Sequence, residues 1–100
     1  MTTKEILIAA RELLSDPKRW TKGGFARDVE QAITNPLNNK AVCFCAVGAL
    51  AKVSSLDHRK AWAVLEGQLQ LGVSVTSFND SHSHAEVLAL FDLAINRCSP

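Results

Sequence analysis

The sequence lacks an excess of charge of either sign. It has 11 lysines and arginines against 10 aspartates and glutamates in 100 residues, a net charge of +1 with the histidines neutral. Without such an excess, little electrostatic attraction would hold the chain to nucleic-acid phosphates. Apolar residues make up 47% and charged residues 21%, whereas disordered chains combine low hydrophobicity with high net charge. We therefore expect one small folded domain over residues 1–100 that does not take nucleic acid as a partner.

The sequence also lacks a long apolar run. The longest stretch free of charged and strongly polar side chains, residues 41–51, falls well short of the ~20 residues that span a bilayer. At the amino end, Glu5 and Glu12 interrupt the pattern of a signal peptide. The sequence thus predicts no membrane partner.

Cysteines are few, and their number is odd. Cys43 and Cys45 are one residue apart and Cys98 lies near the carboxyl end, whereas a disulfide framework needs an even, spread set. Within a helix, two cysteines at this spacing are not comfortably bridged. Reduced thiols, and hence a cytoplasmic location, are the simpler interpretation.

Several patterns indicate helices. Thr2 with Glu5 and Ser83 with Glu86 match the capping box that starts a helix. Each box is followed by an apolar stripe at helical spacing, and the first helix should end at Asp16-Pro17, because a residue before proline avoids the helical region. A further helix is predicted over residues 57–69, with a cap from one of the two serines that precede it.

The apolar segment at residues 41–53 is predicted to be the central helix. It is apolar on all sides, which is typical of a helix buried at the centre of a fold, although periodicity also allows a buried strand. Gly48 in this segment lowers helix propensity, so we expect it to permit the close approach of a neighbouring backbone. The predicted fold is mainly α, with about four helices around this central helix.

Two irregular segments, residues 18–28 and 73–84, lie between the helices. The first contains a possible strand at residues 25–28 that could form a hairpin with residues 32–34. In the second, residues 73–78 alternate like a short strand or serve as an extended connector. Loops on a rigid scaffold commonly carry function, so we expect the functional residues to lie in these two segments.

Three groups of residues suggest chemistry, and each has a structural alternative. Asp80, His82 and His84 could bind zinc, although three ligands are the minimum for a usual zinc site. A turn with a helix cap explains these residues as well. No metal and no cofactor are therefore expected. Cys43 in a first helical turn, or Cys45 with a histidine, could be a nucleophile, although free cysteine is more often a buried apolar side chain.

The third group is basic and aromatic. Residues 18–27 interleave lysine and arginine with Trp20 and Phe25, a combination that can hold single-stranded nucleic acid. Because the net charge provides no supporting field, the favoured interpretation makes both aromatic side chains core anchors.

Several short motifs are spread over most of the chain. They are Trp20-x-x-Gly23, Phe25-Ala26-x-Asp28, Cys45-Ala46-x-Gly48-Ala49-Leu50, Phe78-Asn79-Asp80 and Glu86-Val87-Leu88-x-Leu90-x-Asp92-x-Ala94. In this order they resemble a family of small uncharacterised bacterial and phage domains. That family has tryptophan in place of Phe78, and often a glycine turn where this chain reads Val29-Glu30-Gln31. The resemblance implies no known reaction, but it implies that one cleft groups Trp20, Asp28, Cys45, Asn79 and Asp80.

The leading hypothesis is a non-enzymatic module that binds a small molecule or a protein. Its predicted site has apolar walls and polar groups, contributed by Trp20, Arg27, Asp28, Cys45, Phe78, Asn79 and Asp80. One alternative is an enzyme that uses Cys45 or Asp80 with His82 or His84 as acid–base partner. Another is a structural protein without a pocket, which could be a homodimer built on Phe44, Val47 and Leu50.

Overall fold

The computed structural model describes residues 1–98. The helices are α1 (Thr3–Leu14), α2 (Ala46–Val53), α3 (His58–Gly67), α4 (Val75–Ser81) and α5 (His84–Arg97), and the strands are β1 (Ala26–Arg27), β2 (Ile33–Thr34) and β3 (Cys43–Phe44). A short 3-10 turn over Pro17–Arg19 follows α1. The fold is mainly α, as predicted, and it contains a small three-stranded antiparallel sheet where a two-stranded hairpin was expected. Of the helices described, none has the length and apolar character needed to cross a membrane.

Both predicted capping boxes are formed. The Thr2 hydroxyl accepts from the Glu5 amide at 3.1 Å, and the Glu5 carboxylate accepts from the Thr2 amide at 2.8 Å. Ser83 and Glu86 repeat this exchange at the start of α5. The backbone N–H donated to each carboxylate lowers the pKa of both glutamates. The two capping boxes therefore fix where α1 and α5 begin.

The third predicted helix, α3, is shorter than expected. It begins at His58, and its N-cap Asp57 makes no side-chain cap. Neither serine before it caps the helix directly, because Ser54 Oγ accepts from the Asp57 amide at 3.3 Å instead. The expected serine cap is therefore wrong.

The central segment divides into a strand and a helix. The prediction of a buried central helix is confirmed for α2, whose residues from Ala46 to Leu50 are all buried. The prediction that Cys43 lies in its first turn is wrong, because Cys43 belongs to β3. The Val42 amide donates to the Arg27 carbonyl and the Cys45 amide to the Phe25 carbonyl, so pairing with β1 overrides helix propensity here.

The three strands form a sheet in the order β2-β1-β3, with both pairs antiparallel. The predicted hairpin between β1 and β2 is confirmed. Its turn is held by the Asp28 carboxylate, which accepts from the amides of Glu30 (2.9 Å) and Ala32 (3.0 Å). Gln31 takes a φ of 68°, a left-handed conformation that is uncommon outside glycine.

The second irregular segment is helical rather than extended. Residues 75–81 form α4, so the predicted strand or connector at residues 73–78 is wrong. The Ser74 hydroxyl accepts from the Ser77 amide at 3.1 Å, and the Glu66 carboxylate accepts from the Val75 amide at 3.1 Å. These acceptors satisfy amides at the start of the helix, and burial of Val75 fixes α4 to the core.

Gly48 lies against the backbone that precedes β1. A Cβ atom at this position would be 1.8 Å from the Phe25 carbonyl oxygen, far closer than van der Waals contact. The expected close approach of a neighbouring backbone is thereby confirmed, and it sets the distance between α2 and the sheet.

Gly48→Ala should destabilise the fold by about 3 kcal/mol, because the added methyl group forces α2 away from Phe25. Gly67→Ala is the matched control in another helix, where an added Cβ meets nothing within 4 Å. It should be neutral or stabilising by up to ~1 kcal/mol. Urea unfolding of both variants measures the difference, and similar effects at the two positions would show that the contact does not constrain the fold.

Candidate functional site

Asn79 on α4 is fully buried and makes four hydrogen bonds. Its Oδ1 accepts from Trp20 Nε1 at 2.8 Å and from the Ala46 amide at 3.0 Å. Its Nδ2 donates to the Thr21 carbonyl at 3.0 Å and to Asp80 Oδ1 at 3.2 Å. The bonding capacity of the amide is thus fully used. Asn79 joins α4 to the start of α2 and to segment 20–28.

Asp80 extends this network into a small cavity. Its carboxylate is exposed and accepts from the Gly23 amide at 3.0 Å. Asp80 and Cys45 both line a cavity of about 290 Å³ that also borders Phe25 and Thr76. Of the seven predicted site residues, these two are the ones that the structure brings to this cavity.

Arg27 and Asp28 hold the loop and hairpin that surround them. The Arg27 guanidinium donates to the Lys22 carbonyl through Nη2 at 3.1 Å and to the Gln31 carbonyl through Nη1 at 2.9 Å. The Asp28 carboxylate accepts from two amides of the hairpin turn. Neither side chain lines the cavity with Cys45 and Asp80; Asp28 borders a separate one at the hairpin tip.

The two aromatic residues of the predicted site each pack against a histidine. Trp20 is half-buried with its ring centroid 5.5 Å from that of His84, and Phe78 stacks on His82 at 3.8 Å. His84 Nε2 donates to the carbonyl of Leu14, the last residue of α1, at 2.6 Å. His82 Nδ1 lies 3.0 Å from the Phe78 carbonyl oxygen. Each imidazole is therefore hydrogen-bonded to a backbone carbonyl.

The described part of the chain contains no cluster of three or more histidine, cysteine or acidic side chains placed to hold a metal ion. The contacts of the two imidazoles are to aromatic rings, to backbone and, for His82, to the Ser81 hydroxyl at 2.9 Å. Neither imidazole is hydrogen-bonded to Cys45 or Asp80.

Cys45 is the N-cap of α2, and its side chain is buried. Its Sγ accepts from the Gly48 amide at 3.3 Å. Burial raises the pKa of the Cys45 thiol, and the nearby negative charge of Asp80 raises it further, while the helix amides act in the opposite direction. The thiol is thus neutral near pH 7, unlike the thiolate that nucleophilic catalysis uses.

Several exposed apolar side chains were not singled out from the sequence. Half of the large apolar residues that are exposed lie in segment 25–42, namely Phe25, Val29, Ile33, Leu37 and Val42. Phe25 was expected to be a core anchor, but 48% of its surface is exposed. Of these five residues only Ile33 lies in a strand, so alternation along a strand could have indicated at most that one. The other four lie in connecting segments, whose exposure depends on how the chain packs.

Comparison with known proteins gives a match to a family model. A family model with the description "Family of unknown function (DUF6197)" matches residues 1–97. It confirms the resemblance to an uncharacterised domain family. No curated protein and no solved structure matches the chain.

Asn79→Ala should destabilise the fold by at least about 3 kcal/mol, because it leaves Trp20 Nε1, the Ala46 amide and the Thr21 carbonyl without their partner. Asn96→Ala is the matched control, since Asn96 is exposed on α5; its effect should stay within about 0.5 kcal/mol. Urea unfolding of both proteins tests this. Equal stability of the two variants would contradict the role of the buried amide.

The Cys45 thiol should react slowly with a disulfide reagent in the native protein. In a variant with Cys43→Ser and Cys98→Ser, the labelling rate should be far below that in urea. It should rise with pH through a pKa above the ~8.5 of free cysteine. Stopped-flow labelling across a pH series measures both quantities, and rapid native labelling at pH 7 would instead indicate an activated thiol.

Proposed function

We propose that this chain, which belongs to the family of unknown function DUF6197, is a non-enzymatic module that binds a protein partner. The observation that carries the proposal is the exposure of large apolar side chains on a segment that internal hydrogen bonds hold in place. The proposed binding surface, the sheet patch, consists of Phe25, Val29, Ile33 and Val42.

Contacts within the segment support a connected patch. The Ile33 side chain lies over Gly24, the residue before Phe25 in the chain, 3.2 Å from where a Cβ atom of that glycine would be. Val29 and Val42 border the same cavity of about 560 Å³ at the hairpin tip. Val42 is joined to the middle of the sheet through its amide, which donates to the Arg27 carbonyl.

Charged side chains surround the patch. The cavity of Val29 and Val42 is also lined by Asp28, Glu30 and Lys40. An apolar centre with a polar, charged rim is the usual composition of a protein interface. Exposed apolar surface of this kind marks interaction sites more often than isolated exposed residues do.

The position of β2 adds a second means of recognition. It lies at one end of the sheet order β2-β1-β3 and pairs only with β1 among the described strands. An edge strand offers unpaired N–H and C=O groups to an extended segment of a partner. Ile33 on this strand is 63% exposed, so backbone pairing and apolar contact could occur together.

The polar residues of the predicted site favour binding over catalysis. Asn79, Arg27 and Asp28 make internal hydrogen bonds, and Cys45 is a buried neutral thiol. The cavity beside Cys45 has about 290 Å³, at the lower limit of the range for small-molecule sites. These features support a protein as the partner of the sheet patch.

Site-specific photo-crosslinking in the cells that produce the chain tests this proposal. A photoreactive amino acid in place of Phe25 or Ile33 should give a discrete heavier adduct, identified by mass spectrometry. The same amino acid in place of Leu56 or Leu71 is the control, because these side chains are 90% and 105% exposed outside the patch. An adduct at all four positions, or at none, would contradict the proposal.

Two further results sharpen the experiment. In a variant with Phe25→Ser and Ile33→Ser, a photoreactive amino acid in place of Val42 should no longer give an adduct. The free energy of unfolding should change by about 1 kcal/mol or less, because both substituted side chains are already exposed. An adduct of twice the chain mass would identify a second copy as the occupant and would contradict a distinct partner.

A further inference from the structure

The largest of the described cavities lies between the first turns of α1, the middle of α3 and the end of α5. We name it the α1–α3–α5 cleft, and its volume is about 680 Å³. This is within the range of sites that hold small molecules. It shares no residue with the sheet patch, so its role is independent of the proposed function.

The floor of the cleft is apolar. Ile8, Ala63, Val64 and Cys98 contribute to its lining. Ile8 follows the buried residues Ile6 and Leu7 on α1, yet it is 38% exposed toward this space. An apolar floor of this kind suits a hydrocarbon chain.

Three cations surround the floor. Lys4, Lys60 and Arg97 all line the cleft, and none of them forms an ion pair with another residue in the described range 1–98, where Arg11 with Asp92 is the recorded pair. Three positive charges around one cleft stand out in a chain whose net charge is only +1.

The single acidic residue of the cleft is already engaged. Glu5 Oε1 accepts from the Thr2 amide at 2.8 Å in the capping box of α1. Hydrogen bonds from the backbone and hydroxyl of Thr2 lower the pKa of this carboxylate. The three cations thus remain available to a negatively charged group from outside.

We propose that the α1–α3–α5 cleft binds a small amphipathic anion, a single-chain carboxylate with its tail on the Ile8–Val64 floor and its head group among Lys4, Lys60 and Arg97. The ligand is a free molecule rather than a membrane surface, because the cations border a cavity sized for one ligand instead of covering a broad face.

Calorimetric titration of the full chain with decanoate, below its micelle concentration, tests the proposal. We expect saturable binding at one site that weakens as sodium chloride is added, since salt screens the charges. Octanoate should bind more weakly than decanoate because it buries fewer methylene groups. Decyltrimethylammonium, with the same tail and the opposite charge, should not bind.

Matched charge reversals locate the site. Lys60→Glu with Arg97→Glu should weaken decanoate binding at least about tenfold, because attraction becomes repulsion at the head group. Lys18→Glu with Lys52→Glu makes the same change in net charge at exposed positions outside the cleft, and affinity should stay within about twofold. Thermal unfolding of both variants confirms that they are folded.

Four results would overturn the proposal. They are the absence of saturable decanoate binding, equal affinity for the cationic amphiphile, equal loss of affinity in the two charge-reversal variants, and binding to phosphatidylglycerol vesicles without binding to free decanoate. The last result would assign the cations to a membrane surface.

Discussion

The rest of the structure depends on one buried amide, that of Asn79. Its four hydrogen bonds join α4 to Trp20, to the Thr21 carbonyl and to the first amide of α2. Such an amide is costly to bury unless all its bonding positions are filled, and here the neighbouring Asp80 carboxylate fills the last one. Three parts of the chain that are far apart in sequence are therefore fixed to one point, which includes the start of the irregular segment 20–28.

A second constraint sets the sheet against the helices. Gly48 on α2 lies so close to the Phe25 carbonyl that no larger residue fits, and the Cys45 amide donates to that same carbonyl at 3.1 Å. The inner side chains Ala26 and Phe44 are buried as a result, while Phe25 and Ile33 remain exposed. The apolar surface that we assign to partner binding is thus held rigidly by contacts on its other side, which lowers the entropy cost of binding.

Several side chains of types that often act in catalysis form hydrogen bonds with backbone groups in this chain. His84 donates a hydrogen bond to the last carbonyl of α1, Asp28 holds the hairpin turn, and Cys45 caps α2. Asp28 does this because its short side chain reaches amides two and four residues further on. His84 reaches a carbonyl of α1 only because α5 packs against that helix. Family membership assigns no reaction, so the functional inferences rest on the exposed apolar side chains of the sheet patch and on the apolar and cationic lining of the α1–α3–α5 cleft.

The sequence by itself determined the local features: the capping boxes at Thr2 and Ser83, the end of α1 before Pro17, the buried character of α2 and the need for glycine at position 48. Each depends on residues within about one helical turn or on a single missing side chain. The tertiary structure alone decided that residues 75–81 are helical, that Cys43 is in a strand and that Phe25 is exposed. Those outcomes depend on partners distant in the chain, such as Glu66 for the Val75 amide and Arg27 for Val42. The motifs suggested one cleft with Trp20, Asp28, Cys45, Asn79 and Asp80. In the structure, hydrogen bonds join Trp20, Asn79 and Asp80, whereas Asp28 holds the hairpin turn. The sequence could not specify this division, because the partner and direction of a hydrogen bond are set only when the elements pack.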